Sequence, residues 1–272
     1  MGVCSGVCGF DYLRFRDVVV PALRAGEHHP VVRRTLEVLR AGHEDDPRPY
    51  EPPGYEGLAQ VTAHLDDTFT ACDLGHDFWV ADGSLTDAKP YSVKGWGYEE
   101  LVRLVEWMMT RETLTSYASL GAGSGKSLWW LFLDEAAEHP GYCHDDPDFA
   151  ANANSPRLQE LLMRLDPRYG NPGGYWSAGG SGEGISGWLD SAETRELANL
   201  LPRPPAEPTQ CRPEREWECQ QLVWAAIERT IENGTGLLWG RDLAIYYSRR
   251  KKLFAEGDTP PAEVPYPFRP AR

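Results

Sequence analysis

The residues best suited to chemistry lie in one glycine-rich run, residues 169–188, in which eight of twenty positions are glycine. Ordering glycine costs more backbone entropy than ordering any other residue, so such a run is typical of chain that turns sharply or approaches a ligand. The side chains suited to stacking on a ligand or donating hydrogen bonds to it are those of Tyr175, Trp176, Trp188, Ser177 and Ser181. Glu183 is the candidate acid or base. The run predicts a ligand-binding loop; a turn packed by its own aromatic residues is the alternative.

Thiols and imidazoles form a second set of candidates. Cys8 lies near the end of the first predicted strand and is the candidate nucleophile, a role that needs a neighbouring base. The segment His139–Asp146 packs two imidazoles, a thiol and two carboxylates into eight residues, which makes His139, Cys143 and His144 candidate metal ligands. Zinc sites show paired short spacings or an HExxH helix, and this segment has neither. No metal is assigned, and polar surface loops are the alternative.

The segment 120–127 looks like a phosphate-binding P-loop, but its spacing differs. The glycine required five residues before the Gly125-Lys126 pair is replaced by Leu120. Residues 113–119 look too polar for the buried strand that leads into a P-loop. The seven residues between Lys126 and Asp134 leave no room for the helix that follows one. The pattern therefore favours a Gly/Ser loop over a site of nucleotide hydrolysis.

Charge narrows the class of partner. The formal net charge is −14, and because the last 32 residues carry seven basic and four acidic side chains, the first 240 residues stand at −17. This charge disfavours attraction to nucleic acid or to an anionic membrane and favours a basic partner. No segment approaches the ~18 apolar residues of a membrane span. Without a secretory signal pattern, we expect a cytoplasmic protein whose six cysteines are thiols.

Hydrophobic periodicity and capping residues predict the elements that position these groups. Asp190 with Glu193 reads as a capping box, Gly234 as a helix end, and Pro21 as a kink within a helix. The predicted helices cover residues 12–25, 30–41, 57–69, 98–109, 155–165, 190–201 and 214–233. The predicted strands cover 3–10, 78–81, 236–239 and 243–247, and 127–133 is a buried helix or strand.

Helices and strands follow one another without strict alternation, which predicts an α+β fold. We expect a mixed sheet of short strands packed with about seven helices. Residues 1–248 are expected to form a single domain with a loop-rich insertion near 43–120. Residues 249–272 then form a tail that is first basic and then proline-rich.

Several segments after residue 120 carry a resemblance to a known family. Residues 184–198 form a turn and a capped, Glu-rich helix, residues 126–132 are a buried segment with lysine and tryptophan, and residues 222–226 with 236–239 form a closing helix and strand. In these features the chain resembles the small bacterial YfbM-like proteins of unknown function, mainly over residues 120–240. The resemblance implies a fold and no activity.

Because no catalytic motif is complete, the sequence predicts a protein that acts by binding. It would bind a basic protein partner or a small ligand, as an inhibitor or an immunity protein does. The alternative is an enzyme, a transferase or hydrolase, that uses a glycine-rich pocket at 173–188 with Glu183 and with Cys8 or the His139–His144 cluster. A scaffold stabilised by zinc is a third possibility.

Overall fold

The structure is a computed structural model that describes residues 4–43, 106–121, 128–132, 155–166, 184–209, 214–243, 245 and 254–265. Its framework is a sheet with the spatial order β3-β4-β1-β2-β5, formed by β1 (Ser5–Phe10), β2 (Leu114–Ser119), β3 (Gly184–Leu189), β4 (Gly236–Arg241) and β5 (Ala262–Glu263). The pairs β1–β2, β1–β4 and β3–β4 are antiparallel, and β5 runs parallel to β2. This mixed sheet with its helices confirms the α+β class.

The helices of the described residues occur in two groups along the chain. The first group is α1 (Tyr12–Arg14), a π-helical turn (Phe15–Val19), α2 (Val20–Ala25), a 3-10 turn (Gly26–His28), α3 (Pro30–His43) and α4 (106–112). The second is α5 (Leu128–Phe132), α6 (Pro156–Leu165), α7 (Ser191–Leu200) and α8 (Glu214–Glu232). The predicted helix at 57–69 and strand at 78–81 lie outside the described residues. None of the helices in the described ranges combines the length and apolarity needed to cross a bilayer.

Pro21 lies inside the first helical stretch without ending it. A proline has no backbone N–H, so it cannot donate the hydrogen bond that normally continues a helix. The chain accommodates this with the π-helical turn Phe15–Val19, after which the Val20 N–H bonds to the Phe15 carbonyl. The irregularity predicted at Pro21 therefore takes the form of a widened turn.

A capping box fixes the connection between β3 and α7. The Asp190 carboxylate accepts the N–H groups of Ala192 and Glu193, each at 2.8 Å, and the Glu193 carboxylate accepts the Asp190 N–H at 3.1 Å. After α8, Gly234 adopts a φ of +69°, a conformation that favours glycine at helix ends. Both end signals predicted from the sequence are confirmed.

The sheet separates two apolar clusters, because successive side chains of a strand point to opposite faces. On β1, Cys8 and Phe10 join the cluster under the first group of helices, whereas Val7 joins the cluster under α5 to α8. Leu238 and Trp239 of β4 divide in the same way. The result is three layers, with helices from early in the chain on one face and helices from later in the chain on the other.

Three strand predictions need correction. The expectation that residues 113–119 are too polar for a buried strand ahead of residue 120 is wrong, because Leu114–Ser119 form β2 between β1 and β5. Its buried side chains on the α8 face, Ser116 and Ala118, are small enough for the helix to pack closely. The proline-rich tail also contributes a strand, β5, which pairs with β2.

The third correction concerns the predicted strand at 243–247, which is wrong at Leu243 and Ile245. Asp242 has a φ of +47° and directs the chain out of the sheet. Its N–H bonds to the Cys4 carbonyl at 2.8 Å, and its Oδ1 accepts the Cys4 N–H at 2.8 Å. Beyond this turn, Leu243 and Ile245 are buried in the cluster under the first group of helices.

Candidate functional site

Most of the site residues predicted from the sequence lie outside the described part of the chain. The structure describes the glycine run only from Gly184 onward. The predicted site residues outside the described ranges are Tyr175, Trp176, Ser177, Ser181, Glu183, His139, Cys143 and His144. Their roles stay predictions.

Trp188 and Cys8 are described, and both belong to the core. The end of the glycine run is strand β3, where Trp188 is 1% exposed and its ring centroid lies 5.5 Å from Phe10 and 5.7 Å from Phe15. Cys8 is fully buried in the same apolar cluster. Ligand stacking on Trp188, or attack by Cys8 on a substrate, would require this core to open.

Gly187 shows why at least one glycine of the run is needed. A Cβ at this position would overlap the Arg164 carbonyl oxygen and lie 3.0 Å from the Leu165 carbonyl oxygen. The close approach predicted from the glycines is therefore real at Gly187, but it joins β3 to the end of α6. It allows packing of the two backbones, and no ligand is needed to explain it.

The end of α6 and the end of β4 meet in a charged group that we call the sheet-end junction, consisting of Asp166, Arg241 and the Leu128 N–H. Asp166 follows α6, and its Oδ2 accepts the Leu128 N–H at the start of α5 at 2.7 Å. Its Oδ1 lies 3.5 Å from Nη2 of Arg241, the last residue of β4. One buried carboxylate thus links α5, α6 and β4.

Both glycine-rich segments of the chain connect to this junction. Residues 167–183 follow Asp166 directly, and the chain returns at Gly184, which is the register partner of Arg241. Residues 122–127 follow the end of β2, and the chain returns at Leu128, whose N–H bonds to Asp166. The described chain therefore enters and leaves both segments close to the junction.

Within the described residues, the Arg241 guanidinium has an incomplete set of hydrogen-bond acceptors. A guanidinium has five N–H donors, and a partly buried cation is costly unless those donors are satisfied. The Arg241 side chain is 30% exposed and its ion pair with Asp166 is long, at 3.5 Å. Its buried Nε has no hydrogen-bond acceptor in the described structure. Gly184, its register partner on β3, adds no side chain beside it.

A second ion pair lies between α6 and α7, where Arg164 Nη1 bonds to Glu193 Oε1. Burial raises the pKa of Glu193 above its ordinary value, against the opposing attraction of Arg164 and the hydrogen bond from the Asp190 N–H. Perturbed carboxyl groups often mark functional sites. Here the same carboxylate completes the capping box, so we assign Glu193 a structural role.

Sequence reasoning missed Asp166 and Arg241. The sequence offered one signal for Asp166, which lies three residues before the glycine run begins. Its partner Arg241 is distant in sequence and carries no such signal. The chemistry of the junction suits binding, because a guanidinium held by a carboxylate can present two parallel N–H groups to an oxyanion. In the ranges that the structure covers, no three His, Cys, Asp or Glu side chains are placed to hold a metal ion.

No family model matches the chain, and neither a curated protein nor a solved structure matches it significantly. The resemblance to YfbM-like proteins stays a prediction. No relative supplies an activity, so the chemistry of the sheet-end junction is the basis for a functional assignment.

Proposed function

We propose that the protein binds a small anionic ligand, a carboxylate or a phosphate compound, at the sheet-end junction. The observation that supports this is the state of Arg241: its side chain is partly buried, its ion pair with Asp166 is long at 3.5 Å, and its Nε has no hydrogen-bond acceptor among the described residues. Arginine is well suited to planar oxyanions, because its fork of donors matches two oxygens at once. An anion at this point would accept hydrogen bonds from the guanidinium.

The other residues of the junction would act by positioning. Asp166 is fixed by the Leu128 N–H and holds one side of the Arg241 guanidinium. The turn at Asp242, bonded twice to Cys4, holds the end of β4. The ligand-binding roles of Tyr175, Trp176, Ser177, Ser181 and Glu183 remain part of the proposal, because the segment 167–183 that carries them is joined to Asp166 at one end and to Gly184, the register partner of Arg241, at the other.

Thermal unfolding with simple anions tests the proposal. We expect inorganic phosphate, pyrophosphate or citrate to raise the melting temperature of the wild-type chain. A ligand at ten times its Kd adds about 1.4 kcal/mol, or roughly 3–5 °C for a chain of this size. Arg241→Ala should abolish the shift, and Arg241→Lys should retain only part of it because lysine cannot bind two oxygens with one planar group.

Arg229→Ala is the matched control. Arg229 is an exposed arginine of α8 paired with Glu232 at 3.4 Å, so its removal changes the net charge equally without touching the junction. The control should keep the full anion-dependent shift. An equal shift in Arg241→Ala and wild type would show that anions bind elsewhere, and no shift with any of the three anions would contradict the ligand class.

Binding of a basic protein is the second candidate function, and the charge of −17 on the first 240 residues is the observation that favours it. Opposite charge speeds association and selects partners. The test is binding of a panel of purified small basic proteins, with acidic proteins of equal size as controls. Binding of one basic protein that persists at physiological ionic strength would support the candidate. Equal retention of basic and acidic proteins would contradict it.

A further inference from the structure

A proline-rich segment lies along α8 and is held there by side-chain donors. We call residues 202–205, between α7 and α8, the proline strap. The Pro205 carbonyl accepts Nε1–H of Trp217 and Nε2–H of Gln221, both at 2.7 Å. The Pro202 carbonyl accepts Nε1–H of Trp224 at 2.9 Å. Three side chains of one helix therefore bond two backbone carbonyls of the strap.

The spacing of these contacts fits a helix that recognises a polyproline II segment. Gln221 and Trp224 lie four and seven residues after Trp217, so the three side chains share one face of α8. Seven helical residues span about 10.5 Å. Three residues of polyproline II span about 9 Å and make one turn, which brings the first and last carbonyls to the same side. The two lengths are therefore similar, as hydrogen bonds from both ends of the helical stretch to Pro205 and Pro202 require.

Arg203 adds a charged contact to the same face. Its guanidinium carbon lies 5.1 Å from the centre of the Trp224 ring, and its Nη2 lies 2.7 Å from Oε1 of Glu228. Glu228 is four residues beyond Trp224 and lies on the same face of α8. The Arg203 side chain is 74% exposed, so this contact is on the protein surface. The face thus contacts an arginine side chain as well as the backbone carbonyls of two prolines.

We propose that the stripe Trp217, Gln221, Trp224 and Glu228 is a docking surface for an arginine-containing proline-rich peptide of a partner protein, and that the proline strap occupies it until displaced. Proline-rich ligands bind surfaces lined by aromatic side chains, and the strap bonds two tryptophan side chains through its backbone carbonyls. This surface is separate from the anion site. The preference for arginine is the one part of this proposal that rests on the basic-partner candidate.

A free peptide must compete with the proline strap, which the chain itself holds next to the stripe. The strap is joined to α7 and α8, so its effective concentration at the stripe is on the order of millimolar. A free peptide should therefore bind the wild-type chain weakly and bind much more tightly when the strap is loosened. Residues 206–209 are exposed, which places these four residues outside the contact surface.

The experiment uses a labelled synthetic peptide with the sequence of residues 200–208 and measures its fluorescence anisotropy with the full chain. Pro204→Gly with Pro205→Gly loosens the strap, because glycine lacks the preference of proline for extended backbone, and leaves every carbonyl in place. We expect at least a tenfold lower Kd for the peptide than with wild type. Pro208→Gly is the matched control and should bind as wild type does.

Two further measurements test the contacts. In the loosened variant, Trp224→Phe removes the indole N–H and keeps a ring, and should raise Kd about fivefold to tenfold. A peptide with alanine at the position of Arg203 should bind several-fold more weakly. If the loosened variant fails to fold by circular dichroism, Arg203→Ala replaces it, because this change affects only an exposed side chain; a lower Kd than wild type is then expected.

Equal peptide affinity in the wild-type and loosened chains would overturn the proposal, as would equal binding of the alanine peptide. Tight binding of a lysine-rich peptide without proline, unaffected by the loosened strap, would support the basic-partner candidate and still overturn this docking surface. The anion-dependent shift at Arg241 is measured separately, so its failure leaves this inference standing.

Discussion

Replacing Gly187 by alanine should disrupt the packing of β3 against α6. The added Cβ would overlap the Arg164 carbonyl oxygen and lie 3.0 Å from the Arg164 carbonyl carbon and the Leu165 carbonyl oxygen. All three atoms belong to the backbone, so no side-chain rotation can relieve the overlap. Either α6 or β3 has to move.

The loss of stability in Gly187→Ala follows from the packing that a shift of α6 or β3 would disturb. Four leucines of α6 are buried in the core, Leu158, Leu161, Leu162 and Leu165. A gap of ~0.5–1 Å forfeits a quarter to a half of the dispersion energy of a contact. Extra carbon in a packed core usually costs about 1–3 kcal/mol, and a backbone collision belongs at the upper end of that range. We expect the free energy of unfolding to fall by about 3 kcal/mol.

Urea denaturation provides the measurement, and Gly9→Ala is the matched control in another strand of the same sheet. A Cβ at Gly9 would meet Thr115 Oγ1 at 2.5 Å and Ser116 Oγ at 2.7 Å, which are side-chain atoms that can rotate away. We expect a loss of about 1 kcal/mol there. Equal losses in the two variants would refute the argument that the α6 backbone limits this site. Because Asp166 follows α6 directly, Gly187→Ala should also weaken the anion-dependent shift.

Other perturbations should act locally. Asp190→Ala removes both capping bonds and should cost about 1 kcal/mol in urea unfolding, whereas Ser191→Ala should be nearly neutral. Burial raises the pKa of Glu193, so its contribution to stability is full below its unfolded pKa and is lost as the pH rises through its folded pKa. Glu193→Gln should therefore remove part of the pH dependence of the unfolding free energy above pH 4.5, the ordinary pKa of a glutamate; an unchanged profile would contradict this. Trp188→Ala should cost about 3–5 kcal/mol as a core deletion, and a near-neutral result by the same assay would contradict its place in the core.

Local signals in the sequence were sufficient for most of the helices. The α8 stretch was predicted from its apolar spacing and from Gly234, and the start of α7 from Asp190 with Glu193. These features depend on residues within a few positions of each other, so a single sequence contains the necessary information.

The polar strand β2 and the burial of Trp188 could not be predicted from neighbouring residues. Polar β2 becomes a strand because β1 and β5 pair with it, and those partners come from the two ends of the described chain. Trp188 looked like a ligand-stacking residue, but it packs against Phe10 and Phe15 from the start of the chain. Neither outcome can be read from neighbouring residues.

The sequence by itself determined the acidic character of the protein, its main helices, the capping box and the existence of two glycine-rich segments. Only the tertiary structure decided that both segments connect to Asp166 and Arg241, and that Gly187 serves backbone packing. The physical reason is that charge, periodicity and capping act locally or by composition. Strand pairing and the partial burial of Arg241 depend instead on contacts between distant parts of the chain. These contacts form only when the sheet assembles.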